Sequence, residues 1–235
     1  MTKNILFGAM TLMALPLLAA ESDDVKAAAK KLADQSNYSW RTTVVVPEGS
    51  RFKPGPTEGK TEKGGFTFLS MTMNDNMIEA VLKGDKGAAK MEEGWQSLTE
   101  MAADSQPGPG TFMARRLSNY KTPAVEAEDL AGKTKELKKD GDAYSADLTE
   151  EGAKGLLSFG GRRGGGQTPP EAKNAKGSVK FWLKDGQLAK YEYKVSGTIT
   201  FNGEDRDVER TTTVEIKDPG KTKVEVPEAA KKKLT

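Results

Sequence analysis

Residues 189–201 read AKYEYKVSGTITF, and their alternation decides the fold. Ala189, Tyr191, Tyr193, Val195, Gly197, Ile199 and Phe201 are apolar or small, whereas Lys190, Glu192, Lys194, Ser196, Thr198 and Thr200 are polar. A period of two sustained over such a length marks a strand with one buried and one wet face. The stretch is longer than the usual strand of about five or six residues. A strand of that length belongs to a strongly curved sheet, and Gly197 is its natural bending point.

Working outward, Ser178–Val226 is expected to form four antiparallel strands. Phe181 and Leu183 must share a face with Ala189 and Tyr191. A three-residue loop, Lys184-Asp185-Gly186, with Gly186 as a left-handed bulge residue, satisfies that requirement, whereas a two-residue loop reverses it. At the other end Asn202-Gly203 suits a two-residue turn that pairs Phe201 with Glu204. That register puts Arg206, Val208, Arg210, Thr212, Val214 and Ile216 on the apolar side. Thr222, Val224 and Val226 are expected in a last strand after the Asp218-Pro219-Gly220 turn.

The N-terminal half carries a second meander. A helix capped by Ser22 runs to about Ser36, and Tyr38–Val46 forms a strand with Tyr38 and Trp40 on one face. Strands follow at Thr57–Lys63, Phe66–Met73, Met77–Lys83 and Gly87–Glu92, separated by glycine and asparagine breaks. Gly94–Ala103, Thr111–Ser118 and Ala124–Ala131 are expected as short helices. Lys133–Lys139 and Ala143–Asp147 form a hairpin, Thr149 caps a helix to Phe159, and Gly160–Gly177 is a glycine-rich loop. Strands and helices do not alternate as a parallel sheet requires. The expected class is α+β, rich in β structure: an open half-barrel of about eleven antiparallel strands, with short helices covering its concave face.

Composition narrows the function. The chain is 36% hydrophobic and 30% charged, its mean hydropathy is −0.62 and its net charge is +2. That balance makes no electrostatic case for nucleic acid or an anionic membrane. Lys3, the apolar run from Ile5 to Leu18 and Ala19-Ala20 have the layout of a cleaved signal peptide, residues 1–20. The remainder, residues 21–235, is expected to be one domain, periplasmic or secreted, with no integral membrane span. With no cysteine and no histidine, disulfides, thiol catalysis and the usual zinc ligands are excluded. The acidic groups Glu204, Asp205, Asp207, Asp23, Asp24, Asp140, Asp142, Glu150 and Glu151 all sit at turns or helix starts, where charge has a structural explanation. No phosphate-binding loop, nucleophile elbow or calcium loop is present. No enzyme activity and no cofactor are expected.

The apolar residues are more informative. Every methionine beyond residue 20 lies between Met71 and Met113, and methionine suits surfaces that accommodate varied apolar ligands. Phe66 and Phe68 point away from Leu69, Met71 and Met73, so that strand must be covered on both faces or line a cavity.

In layout the chain resembles an exported lipid-carrier superfamily, the LolA-like and LppX/LprG-like proteins. The similar features are the leader, the first helix running into Asn37-Tyr38-Ser39-Trp40, and Gly94-Trp95. The segment Gly177-Ser178-Val179-Lys180-Phe181-Trp182-Leu183 with Asp185-Gly186 adds to it, followed by Tyr191-Glu192-Tyr193. Val214-Glu215-Ile216-Lys217-Asp218-Pro219-Gly220 and Val224-Glu225-Val226-Pro227 close the pattern. The resemblance implies a curved sheet holding helices in its concavity over an apolar cleft, where family members bind acyl chains or lipoproteins. The cysteine of the lipid-anchored members is missing. The expected ligand is a lipid or acyl chain, with an envelope protein as a further partner, and the expected lining is Tyr191, Tyr193, Val195, Ile199, Phe201, Met71 and Met73. The alternative is a non-enzymatic envelope module whose concavity is filled.

Overall fold

The computed structural model describes residues 17–50, 54–73, 76–103, 108–157, 172–201 and 204–234. Of Leu17–Ala20, Met73 and Phe201 it describes the backbone only. Most of the expected signal peptide, residues 1–16, therefore lies outside the described residues. Helix α1 (Leu17–Ala33) starts earlier than expected, because Leu17-Leu18-Ala19-Ala20 are themselves good helix formers. Ser22 consequently sits inside the helix instead of capping it.

Strands β1 (Asn37–Val45), β2 (Pro54–Glu62), β3 (Thr67–Met73), β4 (Asn76–Lys83), β5 (Lys86–Met91) and β6 (Gly94–Ser97) form one meander. Helices α2 (Leu98–Ala102), α3 (Pro109–Ser118) and α4 (Pro123–Ala131) follow. The second meander is β7 (Lys138–Asp140), β8 (Ala143–Asp147), helix α5 (Glu150–Leu157), then β9 (Ala172–Lys184), β10 (Gln187–Phe201) and β11 (Glu204–Lys217). Helix α6 (Glu228–Lys231) and a 3₁₀ turn, Lys232–Leu234, end the chain. All strands join in one open antiparallel sheet of eleven, ordered β6-β5-β4-β3-β2-β1-β11-β10-β9-β8-β7. The β-rich α+β class and the curved, unclosed sheet match the sequence expectation.

Sequence and structure differ in several places. The β9–β10 turn has two residues, Asp185 and Gly186, both with positive φ (53° and 68°), and pairs Leu183 with Leu188. A bulge between Leu188 and Lys190 then restores Phe181 opposite Tyr191. The apolar face stays continuous, but through a bulge, and Leu188 takes the buried place expected for Ala189. Thr222–Val226 forms no strand. Both edges of β11 are already occupied, by β1 and by β10, so no ladder is open to it.

The expected helix Gly94–Ala103 begins as β6, and α2 starts only where Ser97 and Glu100 form a capping box. The Ser97 N–H donates to the Glu100 carboxylate at 2.6 Å, and the Glu100 N–H to the Ser97 hydroxyl at 3.2 Å. Of the expected loop Gly160–Gly177, Ala172–Gly177 belongs to β9 and the rest falls outside the described residues. The Asn202-Gly203 turn itself is not described, but Phe201 pairs with Glu204 as expected.

The sheet is covered on both sides. The main core, on the concave side, gathers Trp40, Leu69, Met71, Phe181, Tyr191 and Val195 with side chains of α1, α3, α4 and α5. A smaller cluster on the other face joins Val81 and Ala88 to Ala230 and Leu234, with Phe66, Phe68 and Trp95 around them. The double-sided strand β3 is thus closed on its second face by the C-terminal segment. Lys233 fastens that segment to α2 through Glu100 at 2.6 Å. Leu234→Ala should lower stability by about 2 kcal/mol, the low end for a buried leucine, seen as a lower urea midpoint at unchanged slope. An unchanged midpoint would mean that the segment does not help to hold the sheet.

Candidate functional site

The long strands β10 and β11 form the floor of the concavity. Along β10, Tyr191 and Val195 are wholly buried, Tyr193 is nearly so, and Ile199 is partly buried against the same core. Opposite them on β11 stand Val214, Thr212, Arg210, Val208 and Arg206, the register expected from the sequence. A bulge in β9 lies opposite Gly197, and a Cβ on Gly197 would come within 2.7 Å of Leu157 in α5. The glycine therefore lets α5 approach the sheet. Met71 shares the contiguous core, but β2, β1 and β11 stand between its strand and β10. The side chains of Met73 and Phe201 lie outside the described residues. Four of the seven expected lining residues, Tyr191, Tyr193, Val195 and Ile199, thus share one strand face.

What the sequence reading missed is a polar cluster set into this apolar floor. Helix α4 presents Glu126, whose carboxylate accepts from the Tyr191 hydroxyl at 2.5 Å and the Tyr193 hydroxyl at 3.2 Å. Arg210, reaching in from β11, donates to the Leu156 carbonyl of α5. On α3, Arg116 and the nearby Tyr120 belong to the same group, close enough that Arg210 and Tyr120 perturb the Arg116 charge. Trp40 packs flat over Gly59 of β2, where a Cβ would lie 2.1 Å from the indole. Its ring stands 5.6 Å from that of Tyr38. The buried Trp40 indole N–H has no partner in hydrogen-bonding geometry; the Tyr120 hydroxyl beside it falls short.

Burial dominates the electrostatics of this cluster. It raises the Glu126 carboxyl, against the lowering effect of the two tyrosine hydrogen bonds. It also raises the Tyr191 and Tyr193 phenols, with the Glu126 charge adding to the effect. Desolvation lowers Arg116 and Arg210. Tyr120, Glu126, Arg116 and Arg210 are surrounded by protein, yet each retains accessible surface, as do Ile199, Val208 and Leu156. Arg210 was legible as an inward arginine on the apolar side of its strand; Glu126 carried no comparable signal.

Two surface depressions lie elsewhere. One, of about 320 Å³, is walled by Ser22, Lys26, Gly132 and Lys135; the other, of about 570 Å³, by Lys138, Asp147, Lys180 and Lys194. Both are open, the first largely polar and the second mixed, and neither lies over Tyr191 or Val195. The acidic groups at the β10–β11 tip have surface partners: Glu204 with Arg206 at 2.9 Å, Asp205 with Thr200 at 2.5 Å and Asp207 with Thr198 at 2.8 Å. No described helix is long and apolar enough to cross a membrane.

No family model and no curated protein matches the sequence. Among solved structures, the chain is similar to the lipoprotein LppX of Mycobacterium tuberculosis, with a TM-score of 0.50 at 11% identity over 89% of this chain and 99% of LppX. LprF of Mycobacterium bovis superposes at a TM-score of 0.46 and 11% identity, over 90% of this chain and 98% of LprF. A LolA superfamily protein of Nitrosomonas europaea reaches 0.34 at 11% identity, over 93% and 97%. The fold is therefore similar to that of LppX. At this identity the likeness concerns the fold alone.

The raised Glu126 carboxyl has a consequence for stability. The folded state holds the Glu126 proton more tightly than the unfolded chain, whose carboxyl titrates near 4.5. Stability linked to this group is therefore present below that pH and is lost as pH rises through the folded value. Measured by urea unfolding, the stability of the wild type relative to Glu126→Gln should fall as pH rises from 4.5. A difference that is flat with pH, or that grows, would contradict the burial of this carboxylate.

Proposed function

We propose that the protein binds a lipid or another hydrophobic ligand non-covalently between the inner face of β10–β11 and helices α3–α5, and that it does so as an exported, non-enzymatic carrier. The observation that carries this reading is that Ile199, Val208 and Leu156, packed against the core beside the polar cluster, each keep accessible surface. Burying an acyl chain there would contribute roughly 25 cal/mol per Å² of apolar area. The LppX-like fold supports the reading, and the signal-like N-terminus supports export. Access requires helices to move. Helix α4 is held to the sheet through Glu126, and α5 through the Arg210–Leu156 contact and the Gly197 approach. These few polar links make displacement of the helices the gate.

A second reading, an envelope interaction module with a filled concavity, is favoured by the complete burial of Tyr191, Val195 and Met71. The two readings separate in one experiment. Purified protein should take up one equivalent of a fluorescent fatty acid, and native mass spectrometry should show the added mass. Tyr191→Ala should weaken that uptake by more than its loss of stability explains. If native spectra show neither retained nor acquired lipid, and Tyr191→Ala only destabilises, the filled-core module is the correct account.

A further inference from the structure

Glu126 stands in the first turn of α4 and reaches down to the floor of the concavity. Its two carboxylate oxygens accept from the hydroxyls of Tyr191, at 2.5 Å, and Tyr193, at 3.2 Å, both on β10. Further groups acting on it are Arg210 on β11, and Lys121 and Tyr120 in the link from α3. Tyr38 of β1 meets the start of the helix at Thr122 and Ala124. On α4 itself, Glu128 is exposed and Asp129 is paired with Lys121 and Lys133. Helix α1 packs against α4 with Val25, Ala28, Ala29 and Leu32 buried; its Asp23, Asp24, Lys30 and Lys31 are exposed, and Glu21 and Lys26 half-exposed. Beside Glu126, α4 enters the core through Ala124, Ala127 and Leu130. An ionisable group thus sits at the contact between a covering helix and the sheet, in largely apolar surroundings. A carboxylate so placed keeps its hydrogen bonds but loses most of its hydration, a cost that its protonated form does not bear.

We propose that Glu126 is a pH-operated latch on α4: the helix stays on the floor while the carboxyl keeps its proton and is released as the carboxyl ionises, admitting ligand to the cleft. The inference rests on the hydrophobic-ligand reading and adds the regulation of its gate. Its direction is set by the two positions of the helix. With α4 down, burial raises the Glu126 carboxyl, against the tyrosine hydrogen bonds that lower it. With α4 lifted, the carboxyl meets water and titrates near 4.5. The closed state therefore holds the proton more tightly, so it is favoured at low pH and loses ground as pH rises through its own, higher value. Every other described carboxyl with a displaced value is lowered. The chain has no histidine and no cysteine, so no other side chain ordinarily titrates between about pH 5 and 8. Among the described residues, Glu126 is thus the side chain placed to answer pH in that range.

The test follows uptake of N-phenyl-1-naphthylamine, an uncharged fluorescent probe, by the full chain, together with hydrogen exchange of the α4 amides. In the wild type the uptake rate should rise as pH increases from 4.5, by up to about tenfold per pH unit, the limit for one linked proton, and then level off. Protection of the α4 amides, corrected for the intrinsic pH dependence of exchange, should fall over the same range while that of β1 and β11 holds. Glu126→Gln, neutral at every pH, should take up the probe at one slow rate throughout. Tyr193→Phe removes a hydrogen bond that favours the ionised carboxyl, so it should move the midpoint of the transition to higher pH. A wild-type rate that is flat or falls with pH would overturn the latch and leave the cleft standing. So would a pH dependence that survives unchanged in Glu126→Gln, or an unmoved midpoint in Tyr193→Phe. If the probe binds at no pH, the cleft reading fails. Protection of α4 then decides the latch alone, which stands only if protection falls with pH in the wild type and not in Glu126→Gln.

Discussion

The pairing of β1 with β11 is the constraint on which the rest depends. Seven residue pairs, from Ser39 with Lys217 to Val45 with Thr211, join the first strand to the last. Every other neighbour in the sheet is the next strand in sequence, so each half is a meander. Without the β1–β11 seam there would be two small sheets with separate edges. With it, Trp40 stands beside the strand that carries Arg210 and Thr212, and the concavity becomes continuous. Closing so distant a pair costs chain entropy. The apolar burial of Trp40, Tyr191 and Val214 on either side of the seam offsets it.

A continuous concave face must be kept dry, and here it is covered by short helices instead of a second sheet. Helix α1 lies over α4 and crosses β10; it is tied to β8 where the Tyr144 hydroxyl donates to Asp24 at 2.9 Å. Helices α4 and α5 each add a polar link to the floor. Such links stabilise less than the apolar contacts beside them, because desolvation offsets their attraction. They do fix where each helix sits. A lid held by a few specific contacts over an apolar surface is well suited to opening without loss of the sheet beneath it.

Much of this was legible in the sequence, and the limits were physical. The alternation of 189–201 and the Asn202-Gly203 turn gave the register of β10 and β11 to the residue, because both signals are local. The Leu188–Lys190 bulge was not legible, since it answers a need to place Phe181 against Tyr191 that a two-residue turn alone would frustrate. Thr222–Val226 alternates like a strand, yet finds no free edge because β1 occupies it, and that pairing is non-local. The Ser97–Glu100 capping box was in plain view and outweighs the helical appearance of Gly94–Gln96. In the site, the apolar lining on β10 followed from period two. Glu126 did not: on α4 it looks like any other helix acid until Tyr191 and Tyr193 are placed opposite it.

The central claim is that the space between β10–β11 and helices α3–α5 accepts an acyl chain. A crystal structure of the protein grown with saturating oleate tests it most directly. The account predicts chain-like density along Val195, Ile199 and Val208, with α4 or α5 displaced from the floor. Density confined to the outer face, or an unmoved α4 and α5 with no ligand beneath them, would contradict it.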